Sequence, residues 1–218
     1  PEFPPDELEF PNGLDLKGDG VLIETKDQND EKLEFVISRN VDPECRRVNG
    51  ADPKMVWGGD YANKKINSKC VKEFLTTAGK ISPIRISEGI KTYGEVEVIK
   101  FIEDSTKNEN MLLVDARMPD WYEKFTIPTA QNIPFSYFDP KYADFEDTLD
   151  EIGVTKENGK YDFSEAKTLL IFCNGSWCLQ SVLAIKNLNS IGYPKDKLLW
   201  YRGGMYGWKM LNLTTIEP

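Results

Sequence analysis

The fold of this chain is decided by residues 169–178, which read LLIFCNGSWC, and by LQSVLAIKNL at residues 179–188. A short apolar run that ends in a turn is typical of a buried parallel strand. The residues after it place apolar side chains at 179, 182, 183, 185, 188 and 191, which is approximately one face of a helix. The pattern therefore predicts that Cys173 lies at the end of a strand and just before a helix.

A cysteine at this position is a candidate nucleophile. The first turn of a helix leaves backbone N–H groups unpaired and carries about half a positive charge, and both effects favour a thiolate. They can lower the pKa of a cysteine below its free value of about 8.5. Gly175 and Ser176 give the following loop the freedom to wrap around an anion. The alternative interpretation is that Cys173 is one more small apolar residue of the core.

The composition excludes several classes of protein. A formal net charge of -9, with no long basic stretch, argues against a nucleic-acid partner. No apolar run approaches the length of a membrane span. The chain has no histidine, which excludes Ser-His-Asp and Cys-His catalysis and every His-ligated metal site. We therefore expect neither a metal nor a cofactor, and chemistry that comes from cysteines, carboxylates and the backbone.

The first part of the chain predicts a small hairpin followed by a loop-rich segment. Two mostly alternating runs, at residues 21–25 and 32–37, flank the polar residues 27–30, which is typical of a β-hairpin. The segment after it is rich in turn residues and contains Cys45 and Cys70. A disulfide between these two cysteines would stabilise the native state by about 3 kcal/mol in the chain-entropy model. Two free buried thiols are the alternative.

The second part predicts an α/β architecture. Residues 111–115 and 197–201 read as further buried strands, and Ser87 is a candidate cap of a short helix. Residues 139–151, with an acidic stretch at 144–151, read as a polar connection. Strands that alternate with helical stretches indicate a parallel sheet with helices on both faces.

The chain from about Ser82 onwards resembles a rhodanese domain. Three segments carry the resemblance: LVDAR at 113–117 leading to IPTAQNIP at 127–134, the Cys173 loop with its helix ending at Gly192-Tyr193, and YRGGMYGW at 201–208. In order and approximate spacing they are similar to the family signatures DVR…IPGAxNIP, C…S…A…L…GY and GGxxxW. The resemblance implies a rhodanese-like domain at residues 81–218, with a central parallel five-stranded sheet and helices on both faces.

The resemblance also implies an activity. Cys173 would take a sulfane sulfur from a donor such as thiosulfate, hold it as a persulfide and pass it to a thiol acceptor. The backbone N–H groups of residues 174–178, from Asn174, Gly175, Ser176, Trp177 and Cys178, would cradle the thiolate and the persulfide. Asp115 and Arg117 correspond to a pair that is structural in relatives.

Two departures from the family pattern bear on the substrate. Trp177 and Cys178 stand where many active members have an arginine for an anionic donor, which places thiosulfate in question, and Ser181 comes about two residues late. Leu179 occupies the position of the arginine that phosphatase relatives need to clamp a phosphate, which argues against phosphatase activity. Arg202 either supplies the missing positive charge or caps the surface.

Cys178 leaves the mechanism open. It either attacks the Cys173 persulfide as a resolving cysteine, forming a Cys173–Cys178 disulfide, or forms a wall of the pocket. Two further hypotheses are a thiol–disulfide redox protein that uses the Cys173/Cys178 pair, and a catalytically silent binding module.

Residues 1–80 lie outside the family pattern and form, by prediction, a small β-rich, loop-rich extension. They resemble the cysteine-bearing N-terminal extension of some exported bacterial rhodanese-like proteins. That resemblance supports the Cys45–Cys70 disulfide, a periplasmic or otherwise exported location with the cytoplasm as the alternative, and a protein partner bound through residues 1–80.

Overall fold

A computed structural model describes residues 21–26, 31–37, 80–211 and 213–218. The expected Cys45–Cys70 disulfide lies outside these residues. The chain divides into two compact units, one containing residues 12–81 and the other containing residues 82–218. In the described part of the chain, no helix has the length and apolar character that a membrane crossing requires.

The smaller unit contains the predicted hairpin. Strand β1, Val21–Lys26, pairs antiparallel with strand β2, Lys32–Ile37. The register joins Val21 to Ile37 at one end and Lys26 to Lys32 at the other. The alternation in the sequence therefore predicts both strands correctly.

The larger unit alternates strands and helices along the chain. Its elements are β3 Lys91–Tyr93, α1 Glu95–Ser105, β4 Met111–Asp115, α2 Pro119–Tyr122, β5 Gln131–Asn132, α3 Phe145–Glu151, β6 Thr155–Glu157, β7 Lys160–Asp162, β8 Thr168–Phe172, α4 Gln180–Ser190, β9 Leu198–Tyr201 and α5 Gly204–Met210. Two short 3₁₀ helices, Phe135–Phe138 and Lys195–Lys197, lie between them.

Five of these strands form one sheet in the order β3-β9-β8-β4-β5, and every neighbouring pair is parallel. The expected parallel five-stranded sheet is confirmed. Strand β8, which leads to Cys173, is central, and its residues Leu169 to Phe172 have 0% exposure. A strand buried on both faces explains why this part of the sequence is continuously apolar instead of alternating.

Helices cover both faces of the sheet. Successive strand residues point to opposite faces. Ile171 and Trp200 pack in one core with α3 and α4. On the other face, the Tyr201 ring lies 6.4 Å from Trp208 of α5, and its hydroxyl donates to Glu95 of α1. The site at the end of β8 is therefore held between two helical layers.

The prediction of a short helix capped by Ser87 is wrong. Residues 80–90, all of which the structure describes, contain no helix, and the Ser87 hydroxyl donates to the adjacent Glu88 carbonyl. Gly89 has a φ of +81°, a conformation that ends any helical turn there. The first helix of the larger unit begins instead at Glu95, after the N-cap Gly94, whose N–H donates to Glu97.

Candidate active site

Cys173 immediately follows the central strand and is 2% exposed. The first turn of α5 fixes the start of its loop. The N–H of Met205 donates to the Cys173 carbonyl at 3.0 Å, and the N–H of Tyr206 donates to the Asn174 carbonyl at 2.9 Å. These bonds join two of the three sequence segments that carry the family resemblance into one structural unit.

Gly204 permits this close approach. Its φ is +56°, and a Cβ placed there would lie 2.3 Å from the Cys173 carbonyl oxygen and 2.7 Å from the Gly175 nitrogen. Any side chain would displace the loop backbone, because real Cβ atoms do not approach so closely. The second glycine of the Gly203-Gly204 pair is therefore a steric requirement of the site.

The Cys173 sulfur lies among neutral hydrogen-bond donors. Its Sγ is 3.1 Å from the Ser181 hydroxyl, and in its thiol form Cys173 donates to the Cys178 carbonyl at 3.4 Å. Burial opposes ionisation, but hydrogen bonds from the Cys178 thiol, the Ser181 hydroxyl and the N–H groups of Ser181 and Gly175 outweigh it. Together they lower the pKa of Cys173 below its ordinary value. The site therefore stabilises a thiolate without a charged partner.

Cys178 has the opposite character. Burial, together with the neighbouring Cys173, raises the pKa of Cys178 well above its ordinary value. Its Sγ is 3.5 Å from the Gln180 side-chain oxygen, to which the thiol can donate. Both cysteines are free. The surroundings therefore favour ionisation of Cys173 and disfavour ionisation of Cys178.

The remaining predicted residues of the loop have distinct structural roles. Trp177 is 6% exposed and packs edge-on against Tyr206, with ring centroids 5.2 Å apart. It also covers Gly175, where a Cβ would lie 2.4 Å from the Trp177 ring. The Ser176 carbonyl accepts from the N–H of Ser82 at 2.8 Å. Trp177 therefore forms a cover over the loop, and Ser176 joins the loop to the start of the larger unit.

The predicted cradle of backbone N–H groups is only partly directed at Cys173. The N–H of Gly175 acts on the Cys173 sulfur, whereas that of Asn174 acts on Cys178. The N–H of Cys178 donates to the Gly175 carbonyl at 2.9 Å and closes the loop on itself. The Asn174 side-chain oxygen is buried and has no hydrogen-bond partner among the described residues.

Arg202 is anchored to the backbone. Its Nε and Nη2 donate to the Ser82 carbonyl at 3.1 and 2.9 Å, and burial lowers its pKa. Since the N–H of Ser82 binds Ser176, Arg202 is connected to the loop through a single residue. The guanidinium thus braces the loop, and its role toward an anionic donor stays a prediction.

Two residues of the site were not among the predicted ones. Ser181, at the second position of α4, contacts the Cys173 sulfur, and Trp200 of β9 donates from its indole Nε1 to the Ser181 hydroxyl at 3.1 Å. The signal for Ser181 is the serine of the C…S pattern, displaced by about two residues. Trp200 gives no signal beyond its place in an apolar strand.

Comparison with known proteins identifies the family of the chain. The family model of the rhodanese-like domain matches residues 99–211, slightly more than half of the chain. No curated protein matches.

Solved structures are similar at low identity. An uncharacterized protein from Saccharomyces cerevisiae is 26% identical, with 56% of this chain and 93% of that chain covered and a TM-score of 0.40. A protein of unknown function from Rhodopseudomonas palustris, described as a possible tyrosine phosphatase, is 20% identical, with 58% and 85% covered and a TM-score of 0.41. A rhodanese with anions from E. coli is 19% identical, with 50% and 99% covered and a TM-score of 0.32.

Proposed function

The chain belongs to the rhodanese-like domain family, and from this membership we propose that it is a sulfurtransferase whose sulfur acceptor is Cys173. The observation that carries the proposal is the buried Cys173 sulfur, whose pKa the surrounding hydrogen-bond donors lower. Attack on a sulfane sulfur requires the thiolate, which is the nucleophilic form, and a lowered pKa increases the fraction of thiolate at a given pH.

The proposed cycle has two displacements. The Cys173 thiolate attacks the outer sulfur of the donor, the sulfur–sulfur bond of the donor breaks, and the donor leaves with the electron pair. An external thiolate then attacks the outer sulfur of the Cys173 persulfide, and Cys173 leaves as a thiolate. The enzyme returns to its starting state with no net change in its own oxidation level.

Cys178 offers a second exit from the persulfide. Its thiolate would attack the Cys173 Sγ, expel hydrosulfide and form a Cys173–Cys178 disulfide, which an external thiol must then reduce. Four residues separate the two cysteines, a spacing that allows the short Cα–Cα distance of a disulfide. Because the pKa of Cys178 is raised, only a small fraction of Cys178 is available as the thiolate that this route requires. We therefore propose that transfer to an external thiol is the faster exit at neutral pH.

The charge of the loop favours one class of donor. No lysine or arginine lies between residues 174 and 180, and Arg202 donates to the Ser82 carbonyl. A dianion such as thiosulfate is normally held by charge-assisted hydrogen bonds from cations. We propose that the donor is instead a hydropersulfide or an organic polysulfide, whose reacting sulfurs carry a smaller charge than thiosulfate.

A thiol–disulfide redox function is the second candidate. The observation that favours it is the direct interaction between Cys173 and Cys178, which moves their pKa values in opposite directions. A pair of this kind can be oxidised to a disulfide by an external disulfide, with two electrons passing to the oxidant.

Turnover separates the two candidates. We expect the reduced protein to release sulfide when it is mixed with polysulfide and an excess of dithiothreitol, at a rate above the uncatalysed one. The Cys173→Ser variant should show only the uncatalysed rate, and thiosulfate should be a poorer donor than polysulfide. A wild-type rate equal to the uncatalysed rate, together with reversible oxidation of Cys173 and Cys178 by a glutathione buffer, would favour the redox function.

A further inference from the structure

Ser181 is hydrogen-bonded both to Cys173 and to the buried side chain of Trp200. We propose that Trp200 is a positioning residue that directs the Ser181 hydroxyl, so that this hydroxyl donates its hydrogen bond to the sulfur of Cys173. The chain of bonds runs from Trp200 Nε1 to Ser181 Oγ over 3.1 Å and from Ser181 Oγ to Cys173 Sγ over 3.1 Å.

The direction of these bonds follows from the chemistry of the groups. An indole N–H can only donate, so the Ser181 oxygen must accept from Trp200. A serine hydroxyl carries one hydrogen, and that hydrogen is then available for Cys173. The Cys173 thiol has an acceptor of its own in the Cys178 carbonyl, 3.4 Å away. The bond from Trp200 and the acceptor available to the Cys173 thiol therefore both favour Ser181 as the donor to the Cys173 sulfur.

The fold places the three groups together. Trp200 and Ile171 are direct neighbours on β9 and β8, and the alternation of strand side chains turns both toward α4. Ser181 and Trp200 are each 1% exposed. In such a buried place the hydrogen bonds do not compete with solvent, and their loss is costly.

Without the indole, the serine has another partner available. Serine hydroxyls within helices commonly donate to the backbone carbonyl three or four residues earlier. For Ser181 those carbonyls belong to Cys178 and Trp177. The indole N–H uses one of the two acceptor sites of the Ser181 oxygen and therefore restricts the rotation of the hydroxyl. We therefore expect removal of the indole N–H to weaken the bond to Cys173 without removing Ser181.

The consequence for turnover rests on the proposed function. Cys173 carries negative charge when it attacks the donor and again when it leaves the persulfide, and a hydrogen bond from Ser181 stabilises both. The direction of the hydrogen bond does not depend on that function, because it concerns the reduced protein alone. The titratable neighbour that acts on the Cys173 sulfur is Cys178.

The test compares the pH profile of Cys173 alkylation in the wild type and four variants. Iodoacetamide labelling, resolved to Cys173 by fragment-ion mass spectrometry, reports the thiolate fraction. At a pH below the pKa, Ser181→Ala should slow labelling about tenfold and Trp200→Phe about threefold, with unchanged rates at high pH. The double variant should equal Ser181→Ala, because Trp200 acts through the serine. Trp208→Phe is the matched control, since its indole donates to the Thr214 carbonyl instead, and it should leave the profile unchanged.

Several results would overturn the proposal. One is a wild-type profile in Trp200→Phe, a second is a further loss in the double variant, and a third is an equal loss in Trp208→Phe. A second measurement avoids changing the core: in protein labelled with ¹⁵N-tryptophan, the Trp200 indole signal should move when Cys173 is titrated. The signal should no longer respond in Ser181→Ala. An indole signal that changes neither with the titration of Cys173 nor with the Ser181→Ala substitution would also contradict the proposal. All of these readouts remain valid if no sulfur transfer is found.

Discussion

At the scale of single residues, the surroundings of the two cysteines of the loop shift their pKa values in opposite directions. Cys173 receives donors from Cys178, Ser181 and Gly175, and these overcome the cost of ionising a buried sulfur. The pKa of Cys178 is raised by burial and by the neighbouring Cys173. The difference supports Cys173 as the proposed nucleophile, which the sequence indicated from its position after a strand and from the family resemblance.

The pH dependence of sulfur loading tests this assignment. Because the pKa of Cys173 is lowered, its thiolate persists below the pH at which a free cysteine is protonated. The midpoint of the rate of persulfide formation should therefore lie at a lower pH than the midpoint for a free cysteine. Initial rates measured from pH 5 to pH 10 check this. The same donor is allowed to react with a small thiol in parallel, which shows how much of the pH dependence comes from the donor itself. A midpoint at or above that of a free cysteine would contradict the account.

Substitution of Cys178 separates its two roles. Cys178→Ser should leave transfer from Cys173 to an external thiol within about threefold of wild type, since the serine preserves a donor near the thiolate. The slow release of sulfide in the absence of an external thiol should disappear. The measurement is sulfide release with and without dithiothreitol, and Cys178→Ala controls for the donor. If Cys178→Ser matches wild type under both conditions, Cys178 is a wall residue and the resolving role is wrong.

At the scale of elements, the contact between α5 and the Cys173 loop explains the paired glycines. Gly204→Ala would place a Cβ 2.3 Å from the Cys173 carbonyl in a residue whose φ is +56°. We expect this variant to displace the loop and to lose most sulfur loading while keeping its secondary structure. Gly159→Ala is the matched control, because Gly159 has a φ of +77° with no atom within 4 Å of the added Cβ.

The control carries the cost of an unfavourable backbone conformation, about 1 kcal/mol, without the collision. Sulfur loading and circular dichroism, measured for both variants, therefore distinguish backbone strain from the approach of α5 to the loop. Equal loading by the two variants would show that the close contact is not needed.

The connection from β4 to β5 depends on a buried ion pair. The Arg117 guanidinium binds the Asp115 carboxylate at 2.6 Å with both side chains 0% exposed, and Thr126 donates to the same carboxylate at 2.7 Å. Asp115→Asn leaves the arginine charge buried without its partner, which should lower the free energy of unfolding by about 3–5 kcal/mol. Urea denaturation measures the loss. Asp104→Asn, which removes an exposed partner of Lys100, should leave stability nearly unchanged, and an equal effect of the two substitutions would contradict the role of burial.

The elements that the sequence could predict are those with a strong local pattern. The apolar run of β8 and the helical period of α4 gave both elements and the place of Cys173 between them. The acidic segment read as a polar connection contains α3, whose buried Phe145 and Leu149 are four residues apart on one helical face. The β6–β7 hairpin was missed as well, although Asn158-Gly159, both with positive φ, is a typical two-residue hairpin turn.

The contacts that complete the site could not be predicted from local pattern. The bond from Trp200 to Ser181 joins a strand to a helix and depends on how α4 lies across β9. The bond from Arg202 to Ser82 spans nearly the whole of the larger unit. Local periodicity carries no information about such pairs, because it describes which face of an element is buried and not what that face meets.

At the scale of the whole molecule, membership in the rhodanese-like domain family and the central place of Cys173 in the sheet lead to one claim. We propose that Cys173 carries sulfur as a persulfide. The chain as a whole bears a net charge of -9, which adds a general repulsion to the lack of a cation in the loop and disfavours a dianionic donor.

The most direct test of that claim is the mass of the reduced protein after brief incubation with polysulfide, and separately with thiosulfate. The account predicts a gain of one sulfur atom with polysulfide, located on Cys173 by fragment ions, removed by a thiol, absent in Cys173→Ser and smaller with thiosulfate. No gain with either donor, whether the mass stays constant or falls by two hydrogens at Cys173 and Cys178, would contradict it.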